Sequence, residues 1–137
     1  MNRLKYILIL IFLWTFYLPA FTQVSFEAST DAKQIVENGY FQLTFTLNNA
    51  QGANFKAPSF RNFDVLSGPS RSMSTTIING NATRKVAYNY SLQPKKIGKY
   101  TIGPASIVVN GKTLKSNAVK IDVVKASAAS KLSLIHI

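Results

Sequence analysis

The sequence predicts an all-β fold, an antiparallel β-sandwich of about seven to nine strands behind an N-terminal leader. Three observations carry that prediction. Apolar and polar residues alternate with period two along most of the chain after Thr22, and no helical stripe of useful length interrupts them. Two Asn-Gly pairs, Asn79-Gly80 and Asn110-Gly111, each lie between β-prone runs, as a two-residue type I′ hairpin requires. Turn signals recur at intervals of about 8 to 12 residues, the spacing of sandwich strands.

Residues 1–22 read as a signal peptide. Asn2-Arg3-Leu4-Lys5 is a short basic stretch, Tyr6 to Leu18 is an uninterrupted apolar and aromatic run, and Pro19-Ala20-Phe21-Thr22 is a turn-prone exit with small residues. The run falls short of the roughly 20 residues that cross a bilayer as a helix. Cleavage after Thr22, with Ala20 and Thr22 at the small-residue positions, leaves Gln23 as the new N-terminus. The competing reading is an uncleaved N-terminal anchor.

Residues 23–125 form the predicted domain. Val24, Phe26 and Ala28 alternate with Ser25, Glu27 and Ser29 as a first strand, followed by turns at Ser29–Ala32 and Glu37-Asn38-Gly39. Phe41, Leu43, Phe45 and Leu47 alternate with Gln42, Thr44, Thr46 and Asn48, the clearest half-buried strand in the chain. Asn48 to Pro58 reads as a loop. Phe60, Phe63, Val65 and Leu66 make a short, irregular apolar segment closed by Gly68-Pro69. A hairpin follows, with Met73–Ile78 going out, Asn79-Gly80 turning, and Val86, Tyr88, Tyr90 and Leu92 inward on the return. A second hairpin runs Ile107–Val109, Asn110-Gly111, Lys112–Leu114. The last strand points Val119, Ile121 and Val123 inward, with Lys120 and Asp122 outward.

Tyr100 sharpens the architecture. It stands two residues before Ile102, where immunoglobulin domains place a tyrosine two residues before a core cysteine and tie its hydroxyl to the corner. An immunoglobulin-like sandwich with Ile102 in the cysteine's place is one reading. An ordinary sheet aromatic is the other.

Residues 126–137 are a linker and tail. Ala126–Lys131 is small and linker-like, and Leu132-Ser133-Leu134-Ile135-His136-Ile137 has no place in the alternation. That hexapeptide matches the translation of a transposon-end adapter used in sequencing libraries. The expectation is a truncated reading frame with an artefactual end, in which His136 carries no functional weight.

Composition excludes much chemistry. The chain has no cysteine, which removes disulfides, thiol redox and zinc–thiolate sites. Its single histidine is His136, and its acids (Glu27, Asp31, Glu37, Asp64 and Asp122) are dispersed without recurring spacing. Neither paired carboxylates nor a His-assisted nucleophile is on offer, and neither an Asp-x-Asp-x-Asp calcium loop nor a glycine-rich phosphate loop is written. The expectation is no enzyme: no catalytic, cofactor-binding or metal residues, and no cofactor. Asn81-Ala82-Thr83 is a chance-level glycosylation sequon.

The net charge is +11, and without Arg3 and Lys5 there remain 14 basic and five acidic residues, a net +9. Scattered lysines read first as a solvated sheet surface that discourages edge pairing, and second as attraction to an anionic envelope surface or acidic partner. Tyr88 and Tyr90 are in phase with Val86 and Leu92, so they are expected to face the core and not to stack on nucleic acid.

The second half carries a family resemblance. Tyr88-Asn89-Tyr90-Ser91-Leu92-Gln93-Pro94, Gly98-Lys99-Tyr100-Thr101-Ile102-Gly103-Pro104-Ala105, and Val109-Asn110-Gly111-Lys112 with Ser116 resemble the N-terminal region of the BatD family, the aerotolerance or oxygen-tolerance proteins of Gram-negative bacteria. Upstream, Phe60, Asn62-Phe63, Gly68-Pro69 and the serine-rich stretch to Asn79-Gly80 fit as well. The resemblance covers about Gln23 to Val124. It implies a periplasmic β-domain at the start of a longer, inner-membrane-anchored protein, within an envelope complex of von Willebrand factor A-type proteins and a MoxR-type ATPase. It carries no catalytic residues.

The function expected is a non-enzymatic protein-interaction module of a membrane-anchored envelope protein. The alternative is a glycan-binding or adhesin-type surface module, which needs exposed Tyr or Trp on a concave face, and the one tryptophan, Trp14, lies in the leader. Contact residues are unknown from sequence; the Asn48–Phe55 loop and the basic Lys95–Lys99 segment are the surfaces to inspect.

Overall fold

A computed structural model describes residues 2–14 and 23–126. Ala20 and Thr22 at the expected cleavage site, and the tail beyond Ala126 including His136, lie outside the described residues. A helix, α1, covers Asn2–Trp14, and no helix among the described residues is long and apolar enough to cross a membrane.

Ten strands follow: β1 (Ser25–Thr30), β2 (Gln34–Val36), β3 (Phe41–Asn48), β4 (Ala53–Lys56), β5 (Phe63–Ile78), β6 (Asn81–Pro94), β7 (Gly98–Ile102), β8 (Ser106–Val109), β9 (Lys112–Lys115) and β10 (Val119–Val124). The first layer has the order β1-β3-β6-β5, antiparallel throughout. The rest form two ladders, β2-β10-β7 and β4-β8-β9. These are halves of one layer, because β7 runs on into β8 across Gly103-Pro104-Ala105, and β9 into β10 across Ser116-Asn117-Ala118. Ser116 bridges the interruption: its N–H donates to Ala105 O (3.0 Å), and its Oγ accepts from Ala105 N (2.9 Å). Counted that way, eight strands build two layers in the immunoglobulin order. The excess over seven to nine comes from those two breaks.

The alternation read from sequence is the alternation observed. Phe41, Leu43, Phe45 and Leu47 on β3 are fully buried, and Val86, Tyr90 and Leu92 on β6 meet them from the neighbouring strand. Ile107, Val109, Val119, Ile121 and Val123 close the core from the second layer. Each buried Phe or Leu contributes roughly 1.5–3 kcal/mol, so β3 anchors the sandwich. Both Asn-Gly turns have positive φ at both residues (52° and 80°; 50° and 76°), the type I′ signature.

Tyr100 is a corner tyrosine, not an ordinary sheet aromatic. Its hydroxyl donates to the carbonyls of Lys96 (3.0 Å) and Ile97 (3.2 Å), while Ile102 is buried beyond it. Ile102 holds its core position by packing alone.

Four expectations need correction. Asn48–Pro58 is not wholly loop, because it contains β4, which pairs with β8 around a bulge where Asn54 takes a φ of 54°. Only Phe55 of its four residues is drawn inward, so there was no alternation to read. The apolar segment from Phe60 does not close at Gly68-Pro69. β5 passes through that dipeptide, with one register shift before it, between Val65 and Ser67, a second spanning it, between Ser67 and Ser70, and a cis bond between the two residues. Gly68 has a φ of 118°, and a Cβ there would stand 2.6 Å from Asn89 O, so the bulge needs glycine. β2 is a short strand between the two predicted turns and lies parallel to β10, the exception to an antiparallel fold. Val24, read into the first strand, precedes β1 and is exposed.

Candidate interaction surface

β5 and β6 have 16 and 14 residues, about twice the length of the other long strand, β3, with 8. β3 accompanies β6 only as far as Asn48 opposite Lys85. Beyond that level the hairpin continues alone, from Ser74 out to the Asn79-Gly80 turn and back to Arg84. Among the described residues no strand flanks this arm where it leaves the sandwich. Every residue from Asp64 to Lys85 is exposed.

The arm is apolar where a free-standing hairpin would be expected to be polar. Met73, Ile77 and Ile78 are exposed, Ile77 by 71% and Ile78 by 65%. The sequence between them is serine, threonine and isoleucine, rich in β-branched residues that favour extended backbone. Among the described residues nothing covers these side chains.

At the arm's base the surface is hollowed. Ser25, Asn48, Ser74, Thr76, Thr83 and Lys85 line the hollow from β1, β3 and the two arm strands. Asn48 Nδ2 donates to Ser25 Oγ (2.9 Å), and Asn49 N donates to Arg84 O (2.7 Å), fixing the root of the arm to the end of β3.

The carboxylates gather away from the arm, whereas the basic residues lie at both poles. From Val65 to Ile121 the chain has nine lysines and arginines and no carboxylate. Asp31, Glu37, Asp64 and Asp122 lie toward the far pole: Asp31 N bonds Gln42 O, Glu37 N bonds Val124 O, Asp64 is opposite Gln93 and Asp122 opposite Lys99. Glu27, opposite Thr46 midway along β1, is the remaining acid. Arg84 and Lys85 are therefore the charges of the arm and its root, with Arg71 on β5 three residues below it.

The surfaces singled out by sequence behave differently. Of the Asn48–Phe55 segment, Asn48 and Asn49 join the arm's root, but Phe55 turns inward and stacks on Tyr88 with centroids 4.1 Å apart and planes at 2°. Lys95–Lys99 is an exposed turn at the opposite end of β6, where Lys95 Nζ approaches Asp64 Oδ1 at 3.8 Å. It is a separate pole, not part of one site with the loop. Sequence reading found the Asn79-Gly80 turn but not the arm, since a strand exposed on both faces leaves no apolar period to extend.

Tyr88, Tyr90 and Tyr100 are engaged in packing: Tyr90 against Phe60 (5.2 Å) and Phe45 (6.1 Å), Tyr100 against Phe63 (5.7 Å). They are thereby withdrawn from the stacking platform that a glycan module would use. Among the described residues no three His, Asp or Glu side chains stand close enough to hold a metal ion.

A family model described as the BatD DUF11-like domain matches residues 28–123, from within β1 to within β10. No curated protein matches the chain.

Proposed function

From the chain's membership of the BatD family, we propose that it is a non-enzymatic protein-interaction module of a membrane-anchored envelope protein, acting in a periplasmic complex linked to oxygen or stress tolerance. The reading assigns residues 1–22 to an export leader and the sandwich to the periplasm of a Gram-negative bacterium. Its partners are envelope proteins of the von Willebrand factor A type, with neither cofactor nor small-molecule substrate.

The observation that supports it most is the exposed run from Asp64 to Lys85 on an otherwise well-packed sandwich. A sandwich interior filled by Phe41, Leu43, Phe45, Leu47 and Ile107 is a scaffold. What such a scaffold offers to other molecules is backbone at its edges and side chains on its hairpins, the means by which β-domains bind proteins. The cationic arm pole adds steering toward an acidic partner.

Pull-down of the full-length protein from membranes tests the proposal. Recovery of co-encoded A-domain proteins is the expected result. Recovery of none, with the bait intact in the membrane, argues decisively against it.

A further inference from the structure

We infer that the outer edge of β5 from Arg71 to Ile77 is a docking site for one extended, acidic segment of a partner protein, added to the first layer as a fifth strand. The inference rests on the interaction-module reading and gives it a place and a partner chemistry.

The hydrogen-bond phase of the arm follows from its turn. A two-residue type I′ turn makes the flanking residues, Ile78 and Asn81, a hydrogen-bonded pair, and the pairs alternate from there. Thr76–Thr83 and Ser74–Lys85 are then hydrogen-bonded. Ile77–Ala82, Thr75–Arg84, Met73–Val86 and Arg71–Tyr88 are not. Arg84 checks the phase independently: as a member of a non-bonded pair its carbonyl points away from β5, and there Asn49 N meets it at 2.7 Å. By the same alternation the N–H and C=O groups of Arg71, Met73, Thr75 and Ile77 point away from β6. Since β5 ends its sheet, they face outward.

Sheet proteins ordinarily blunt such an edge with proline, a bulge, a charge or a short strand. Here Gly68-Pro69 and its bulge stop short of the open stretch. From Ser70 to Ile78 there are nine residues with no proline, no register shift and one charge, Arg71. That is about 30 Å of unpaired edge, long enough to seat a whole strand.

The side chains set the chemistry of the occupant. Arg71, Met73, Thr75 and Ile77 share one face of β5, with Arg84 and Ala82 opposite Thr75 and Ile77. An incoming strand with carboxylates toward Arg71 and Arg84 and apolar residues toward Met73 and Ile77 matches that face. No carboxylate of this chain between Val65 and Ile121 competes for them. A second copy of the chain is a poor occupant, because edge-to-edge pairing sets cationic arm against cationic arm. An anionic membrane meets the charge but not the ladder, whose alternating donors and acceptors need a partner backbone.

The test titrates the isotopically labelled protein with three probes. These are an acetylated nine-residue peptide alternating Glu with Val and Thr, its counterpart with Lys for Glu, and phosphatidylglycerol vesicles. The expected result is that the acidic peptide alone slows amide exchange at Met73, Thr75 and Ile77, by about tenfold or more for newly bonded amides, while Ser74 and Thr76 change little. Thr75→Pro removes one outward donor without touching a β5–β6 bond, and Arg84→Glu reverses one charge. Each is expected to weaken the peptide about tenfold. Unchanged exchange at saturating peptide overturns the docking site, as does undiminished binding in both variants. Protection of these amides by vesicles but not by peptide overturns it in favour of a lipid surface. In membrane pull-downs, equal recovery of A-domain proteins by wild type, Thr75→Pro and Arg84→Glu removes the docking site and leaves the interaction-module reading standing. Failure of the wild type alone to recover them counts against that reading.

Discussion

The side-chain amide of Asn117 closes a two-way hydrogen bond with the backbone of Ala28, 89 residues earlier in the chain. Ala28 N donates to Oδ1 at 2.8 Å, and Nδ2 donates to Ala28 O at 3.0 Å. Asn117 lies in the interruption between β9 and β10, while β1 is the outer strand of the first layer. One amide therefore stands in for a strand residue and ties the edge of one sheet to the other. Asn117→Ala removes both bonds and is expected to cost about 1–3 kcal/mol in urea unfolding, although the residue is exposed. A change within about 0.5 kcal/mol, normal for an ordinary surface site, would show that the bridge contributes nothing.

The corner tyrosine separates hydroxyl from ring. Tyr100→Phe keeps the edge-on contact with Phe63 and loses the bonds to Lys96 O and Ile97 O. The expected loss is about 0.5–1.5 kcal/mol. Tyr100→Ala also removes the aromatic packing, and the expected loss rises to about 3–5 kcal/mol. Equal losses for the two variants would mean that the hydroxyl does not hold the corner.

Much of this fold could be read from the chain because most strands bury one face. Phe41 to Leu47 is legible since the pleat places every second residue in the core, and the Asn-Gly turns because positive φ at two successive residues selects that dipeptide. The arm, β4 and β2 lack such a constraint. β5 beyond Phe63 buries no residue and β4 buries none fully, while β2 is three residues whose pairing with β10 is long-range. The candidate surface was illegible for the same reason. An interaction edge is defined by what is unpaired, and sequence periodicity reports only what is covered.

Gly52 illustrates a constraint of space without unusual backbone. A Cβ at Gly52 would stand 2.4 Å from Ile107 Cδ1, 2.7 Å from Ile107 Cγ1 and 2.8 Å from Leu47 Cδ2, and Ile107 and Leu47 are fully buried. Gly52→Ala is therefore expected to destabilise by about 1–3 kcal/mol through overpacking. Ile107→Val removes the nearest carbon, so the double variant should lose less than the sum of the two single losses. Strict additivity in a double-mutant cycle would place the strain elsewhere.

Alkaline pH probes Tyr90. Burial raises its phenol above the ordinary value of about 10, because the low-polarity interior disfavours phenolate. The folded protein then holds that proton to higher pH than the unfolded chain does. The stability from this linkage is complete below pH about 10 and is lost as pH rises through the folded value. Tyr90→Phe removes the titrating group and keeps a ring against Phe45 and Phe60. Unfolding free energies measured between pH 8 and 12 should fall less steeply in the variant, the lysines being common to both proteins. Parallel curves would show that Tyr90 ionises alike in both states.

The arm should be separable from the fold. Ile77, Ile78, Asn81 and Ala82 are exposed, and no described hydrogen bond outside the β5–β6 ladder uses them. Deleting these four leaves Thr76-Asn79-Gly80-Thr83, which keeps the turn, the hydrogen-bond phase and the Asn49 N–Arg84 O bond at the root. Removing Ile77 and Ile78 also takes away the most exposed aliphatic side chains of the sandwich. The trimmed protein is expected to match wild-type stability within about 0.5 kcal/mol. A trimmed protein that unfolds several kcal/mol earlier would make the hairpin tip part of the fold. Its length would then have a structural reason, and the arm would lose its claim to be kept for binding.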